Sequence, residues 1–191
     1  MLDEWQDWIG TFTGVVASTV VLLPAALAAV WALARHRWLN GSPRAQAWRW
    51  SLSEVGLVYG TVPVVWLTMM PGSRAGLVPG RVSLVPLQDL LAMGTVQIVG
   101  NLLVFAALGF FAPLRFAALA SLPRVLALAA GCSVLIEVGQ YALRLDRVSS
   151  VDDVLLNTAG AVLAALASRR WWRAKASPPP RRPRLTLVPG R

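Results

Sequence analysis

Cysteine, histidine and lysine are all but missing from these 191 residues: Cys132, His36 and Lys175 each stand alone. A lone cysteine excludes an intrachain disulfide and any multi-cysteine metal site. The sequence also lacks a G-x-S-x-G elbow and an H-E-x-x-H pair, so no familiar nucleophile or metal set is available. Charge is scarce as well. Charged side chains make up 14% of the chain against 56% apolar, and the mean hydropathy is +0.58. That supply cannot furnish the surface of a water-soluble domain. The formal charge is nonetheless +9, carried almost wholly by arginine. Neither a nucleic-acid-binding motif nor a repeat period accompanies it, so the basicity is not read as DNA binding.

What the chain has in quantity is long uncharged runs. A bilayer core needs about 20 apolar residues of helix. Ile9 to Ala34, Val55 to Ser73 and Leu90 to Leu114 each supply a span free of ionisable side chains. A fourth, Arg124 to Leu143, is interrupted by Glu137, and a fifth, Val151 to Ser168, opens on Asp152 and Asp153. The fold class expected is an all-α membrane bundle of about five transmembrane helices. The first run follows an acidic flank (Asp3, Glu4, Asp7) and far exceeds a signal-peptide core of about 7 to 15 residues, so it reads as a retained helix. Pro24 and Pro63 lie inside the first two spans, where kinks are expected.

Cytoplasmic loops are enriched in Lys and Arg. With the N-terminus outside and the C-terminus cytoplasmic, fourteen of the eighteen cations fall inside, leaving Arg74, Arg81, Arg144 and Arg147 outside. Trp31, Trp38, Trp48, Trp50, Trp171 and Trp172 then border the inner interface. Met70 to Gly94, with three prolines and four glycines, reads as an external loop with room for a short interfacial helix. The tail after Trp172 is Pro- and Arg-rich and expected to be disordered, a positive-inside anchor. The domain expectation is two helices over 1–74, a three-helix unit over 75–168 and the basic tail over 169–191.

Polar groups inside spans are costly, roughly 2.5 to 3.5 kcal/mol for an ionisable one at the centre, and are by default a functional hypothesis. Asn101, Glu137, Gln140 and Asn157 all fall one to two turns inward from the outer ends of their helices, at one depth. Glu137, Gln140 and Tyr141 share a helix face, as do Asp153 and Asn157. Beside them Arg144, Asp146, Arg147, Asp152 and Asp153 form a compact charged loop, in which Arg147 can clamp a carboxylate or phosphate. Ser149 and Ser150 precede Asp152 and Asp153 by three residues, as a helix cap requires. The two aspartates thus have two readings, capping and ligand contact. For Asn101 and Asn157 interhelical packing bonds are the favoured reading. For Glu137 function is favoured, because an amide or serine packs a bundle without the cost of a carboxylate. Gly131, Ser133, Gly139, Gly160 and Ala164 read as sites of close helix approach. Met69 and Met70 read as packing residues, and His36 as an exposed flank.

Four ordered blocks carry a resemblance: RVSLVPL (Arg81, Leu84, Pro86), NLLVFAALGF (Asn101, Phe105, Gly109, Phe110), SVLIEVGQ (Ser133, Glu137, Gln140) and RVSSVDDVLLNTAG (Arg147, Asp153, Asn157, Gly160). Arg81 to Leu166 resembles the VanZ-like family of bacterial membrane proteins. The departures are Ser83 for the family's loop asparagine, Leu87 for its aromatic, Ala107 for its proline and Ser150 for its first aspartate. The resemblance adds Arg81 to the binding candidates Asn101, Glu137, Gln140, Arg147, Asp152, Asp153 and Asn157. It implies a cell-envelope protein of the cytoplasmic membrane, in a family whose founding member is associated with teicoplanin resistance, and carries no settled mechanism.

Three functions follow as expectations. The leading one is a non-enzymatic or accessory envelope protein whose outer-side pocket engages membrane lipid, a lipid-linked cell-wall precursor or a glycopeptide, with no cofactor, metal or nucleic acid. An intramembrane enzyme acting on a lipid head group would use Glu137 or Asp153 as general base and Arg147 to hold an anion. A proton-coupled transporter is disfavoured by the lack of an inverted repeat.

Overall fold

A computed structural model describes residues 12–172. The acidic N-terminal flank and nearly all of the basic tail, with the expectation of disorder attached to it, lie outside the described residues. In chain order the elements are α1 (Phe12–Leu39), α2 (Arg44–Thr68), β1 (Arg81–Ser83), α3 (Thr95–Val104), α4 (Ala106–Arg115), a 3-10 turn (Ala117–Leu119), α5 (Leu122–Ala142), β2 (Val148–Ser150), α6 (Val151–Ser168) and a last 3-10 turn (Arg169–Trp171). The fold is an all-α membrane bundle. Four stretches are long and apolar enough to cross a bilayer: Thr13–Leu39, Thr95–Arg115, Leu122–Ala142 and Val151–Trp171. Their outward faces stay apolar, as Val20, Val21, Leu103, Leu135 and Leu163 illustrate, each more than half exposed. Water disfavours such a surface and hydrocarbon accepts it.

The fifth helical rod is α2, and it departs from the expected Val55 to Ser73 at both ends. It starts at Arg44 and so takes Arg44, Arg49 and Glu54 into the helix. Charge ended the uncharged run in sequence, but tertiary pairing removes the objection to a helix there. Arg37 of α1 and Arg115 of α4 both donate to the Glu54 carboxylate, and Arg37 also reaches Ser51 Oγ at 2.7 Å. Arg115 lies 5.0 Å above the Trp50 ring. This knot ties three helices at one end of the bundle. The connection from α1 to α2 is correspondingly short, and both helices run through their prolines.

Helix α6 is the central post, packed on α4, α5 and α3, while α2 packs on α4 and α1 on α2. Glycines permit the closest crossings. A Cβ on Gly109 would stand 2.0 Å from the Ala161 carbonyl oxygen, and one on Gly160 would stand 1.9 Å from that of Leu102. Backbone therefore meets backbone where α3 and α4 cross α6. Gly131 faces open space instead, so the close-approach reading fails for it. The core is small, built on Val104, Phe105, Val125, Ala129, Ile136, Ala161 and Ala165.

The rod α3–α4 breaks at Phe105, whose φ of −115° and ψ of 16° are not helical and whose N–H turns to the Leu103 carbonyl. The loop ahead of it forms turns rather than an interfacial helix. Two features there have no counterpart in the sequence reading. Arg81–Ser83 pairs in parallel with Val148–Ser150, Arg81 opposite Val148, and Gly80 lets β1 pass over the ring of Tyr141, where a Cβ would come within 2.5 Å.

Candidate functional site

The parallel pair joins the loop before α3 to the loop before α6, at the end of the bundle opposite the Glu54 knot. The C-terminal ends of α2 and α5 and the N-terminal ends of α3 and α6 meet beneath it. A cavity of 370 Å³ opens among them. Of the eight binding candidates, seven line it: Arg81, Asn101, Glu137, Gln140, Arg147, Asp153 and Asn157. Thr68, Gln97, Ile136, Asp146 and Val148 complete the wall.

Each inner group is held by a bond to another element. Asn157 of α6 donates through Nδ2 to Ser133 Oγ of α5 at 2.8 Å. Its Oδ1 is buried and has no partner, although the residue is only 2% exposed. A buried unpaired carbonyl costs about 1–3 kcal/mol, and with under 1 Å² of accessible surface this one is closed off from the open cavity. Asn101 of α3 donates to Asp153 Oδ1 of α6. Gln140 of α5 donates to the Thr68 carbonyl at the end of α2, at 2.8 Å. Glu137 Oε2 accepts the Ser150 N–H at 2.9 Å, and the Glu137 carbonyl accepts the Ser149 hydroxyl at the same distance. The interhelical bonds expected of the asparagines are thus present, with one acceptor to spare.

The rim is cationic and exposed. Arg147 reaches the Met70 carbonyl through two long contacts of 3.4 Å and has no carboxylate within ion-pair distance among the described residues, although its charge acts on the Asp153 carboxyl. Arg81 lies 3.8 Å from Asp146, which also meets Arg74 at 3.4 Å.

Asp152 is the candidate that the cavity excludes. It is 1% exposed, and its carboxylate accepts the N–H groups of Leu87 at 2.6 Å and Leu90 at 2.9 Å. Asp152 therefore clamps the turn before α3, holding Leu87 at a left-handed φ of 67°. Ser150 is the cap of α6: its hydroxyl accepts the Asp152 N–H at 3.2 Å and donates to Asp89 Oδ2 at 2.6 Å. Hydrogen bonds from Ser150 and Ser83 hold the Asp89 carboxyl below the usual aspartate range. Asp89, Gln97 and Thr68 have no place in the sequence reading, and Asp146 enters it only as a member of the charged loop. Each lies in a loop or at a helix end, where polarity is ordinary.

Two apolar grooves flank the cavity. One, of 610 Å³, runs between α2 and α3 and shares Thr68, Gln97, Asn101 and Arg147 with it. The other, of 280 Å³, lies beside α5 and shares Glu137; Tyr141 lines this groove, not the cavity. Charge and grease thus adjoin along one path, the arrangement that an amphipathic molecule requires.

Residues 57–172 match the model of the VanZ/LLP1 family. The chain belongs to that family. Searches of curated proteins and of solved structures return no match. The VanZ/LLP1 segment begins within α2 and takes in every residue of the cavity. The departures noted from the VanZ-like pattern acquire physical meaning here. Ser150 stands where the pattern has an aspartate, and Asp152 does not replace it; Asp89 brings a carboxylate to within 2.6 Å of that position from the loop. Ala107 stands where the pattern has proline, yet the helix still breaks two residues earlier. Ala107 packs where a Cβ on Gly60 would come within 2.5 Å.

Proposed function

We propose that this VanZ/LLP1 protein is an accessory protein of the cytoplasmic membrane, whose cavity faces the external side and engages the polar head of a lipid-linked or glycopeptide-like molecule. The observation that carries this reading is the single cavity shared by Asn101, Glu137, Gln140, Arg147, Asp153 and Asn157, with apolar grooves beside it. Packing alone does not call for an exposed arginine at the rim. The 14-to-4 partition of cations supports a cytoplasmic C-terminus and an external site, with α2 as a fifth crossing. The three-helix unit over 75–168 supplies most of the site, the helices of 1–74 contribute the Thr68 wall, and the tail serves as a positive-inside anchor.

The test is retention of lipid or glycopeptide by the purified full chain. Glu137→Ala and Arg147→Ala are expected to lose it together. Retention unchanged in both variants overturns the proposal.

A second reading has one observation in its favour: Glu137 and Asp153, from different helices, line the same cavity as Arg147. An intramembrane enzyme would use one carboxylate as base and the arginine to hold an anion. The nearby serines do not support it, since Ser133, Ser149 and Ser150 are each engaged in packing or capping bonds. Turnover of a labelled envelope lipid, abolished by Glu137→Gln, would establish this reading over the first.

A further inference from the structure

The cavity wall mixes the amides of Asn101, Gln140 and Asn157 with two carboxyl groups, and the carboxyls keep acceptor oxygens free. Glu137 spends Oε2 on the Ser150 N–H and Asp153 spends Oδ1 on Asn101, which leaves each carboxylate a second oxygen. The Asn157 Oδ1 lacks a partner within the protein but has under 1 Å² of accessible surface, so it lies outside this set. Two carboxyl groups, each with an oxygen free of protein partners, therefore line one space, and Arg147 and Arg81 stand at its exposed rim, Arg81 beside Asp146. An ammonium offers three N–H donors and one positive charge, and a phosphate offers acceptors that suit a guanidinium.

We propose that the cavity selects a phospholipid whose head group carries a primary ammonium. The ammonium sits between Glu137 and Asp153, the phosphate at Arg147 and Arg81, and an acyl chain in the groove between α2 and α3. This rests on the reading of the cavity as a lipid head-group site and names the head group. The groove belongs to the same ligand because Thr68, Gln97, Asn101 and Arg147 line both spaces. Charge order decides between head groups. A quaternary ammonium carries the charge but no N–H donor, and a glycerol head carries donors but no charge, so each leaves part of the acceptor set unsatisfied.

The experiment uses the full chain in nanodiscs of equimolar phosphatidylethanolamine, phosphatidylcholine and phosphatidylglycerol, with retained lipid counted by native mass spectrometry. Phosphatidylethanolamine is expected to be enriched about tenfold over the other two, as one charge-assisted hydrogen bond provides. Asp153→Asn, which preserves shape, is expected to abolish that preference, while Arg147→Gln lowers retention of all three lipids. Equal or greater retention of phosphatidylglycerol or phosphatidylcholine by the unmodified chain overturns the head-group assignment and leaves the lipid reading intact. No lipid retained above the bulk ratio overturns the head-group assignment together with the reading of the cavity as a phospholipid site, and leaves glycopeptide retention to decide the proposed function.

Discussion

At the scale of single residues, two aspartates adjacent in sequence do opposite things. Asp152 points away from the cavity and accepts two backbone N–H groups, and Asp153 lines the cavity. Asp152→Ala strands both donors in a buried turn, which is expected to cost about 2–4 kcal/mol, read as a lower melting temperature in detergent. Arg147→Ala, at an exposed rim position with only long contacts, is expected to leave that temperature unchanged. Equal effects of the two would show that the turn is not held by Asp152. Asp89 adds a pH dependence. Its carboxyl is held below its ordinary range, so the Ser150 and Ser83 bonds contribute stability above the ordinary aspartate value and lose it as pH falls through the lowered one. Asp89→Asn is expected to flatten the acid limb of melting temperature against pH. None of this division was legible in the sequence, because the partners of Asp152 are main-chain groups that any residue carries. Glu137, Gln140 and Asn157 were legible, since a polar side chain in an apolar span stands out by its cost.

At the scale of elements, the bundle depends on α6 meeting α3 and α4 without side chains between them. Gly109→Ala and Gly160→Ala each drive a Cβ against a carbonyl that belongs to another helix, a neighbour that cannot rotate away. Each is expected to cost about 1–3 kcal/mol or more, whereas Gly131→Ala meets nothing and gains up to about 1 kcal/mol of helix propensity. Thermal unfolding of the three variants in one detergent separates these outcomes. The spans were readable because a bilayer demands apolar length, and α6 begins and ends where the sequence placed it, at Val151 and Ser168. The start of α2 was not readable. Its charges become compatible with the bundle only through Arg37 and Arg115, brought to Glu54 by the fold. The strand pair escaped for the same reason, being three residues long on each side and made by segments far apart in the chain.

At the scale of the whole molecule, the site and the Glu54 knot occupy opposite ends of the helices, about 20 Å apart along α2 at 1.5 Å per residue. The proposed orientation puts the site outside. In a Cys132→Ser background, a membrane-impermeant maleimide applied to intact cells is expected to label a cysteine replacing Arg144 and to spare one replacing Arg44. The reverse pattern would turn the molecule over and put the cavity on the cytoplasmic side. The ladder above the cavity also acts as a calliper. Arg81 opens one strand, Arg147 immediately precedes the other, and the register is set by main-chain pairing, so the gap between the two cations belongs to the backbone. One residue inserted between Arg147 and Val148 would widen that gap by a strand step of about 3.3 Å. The helices would stay as they are, and the rim would measure out a larger anion.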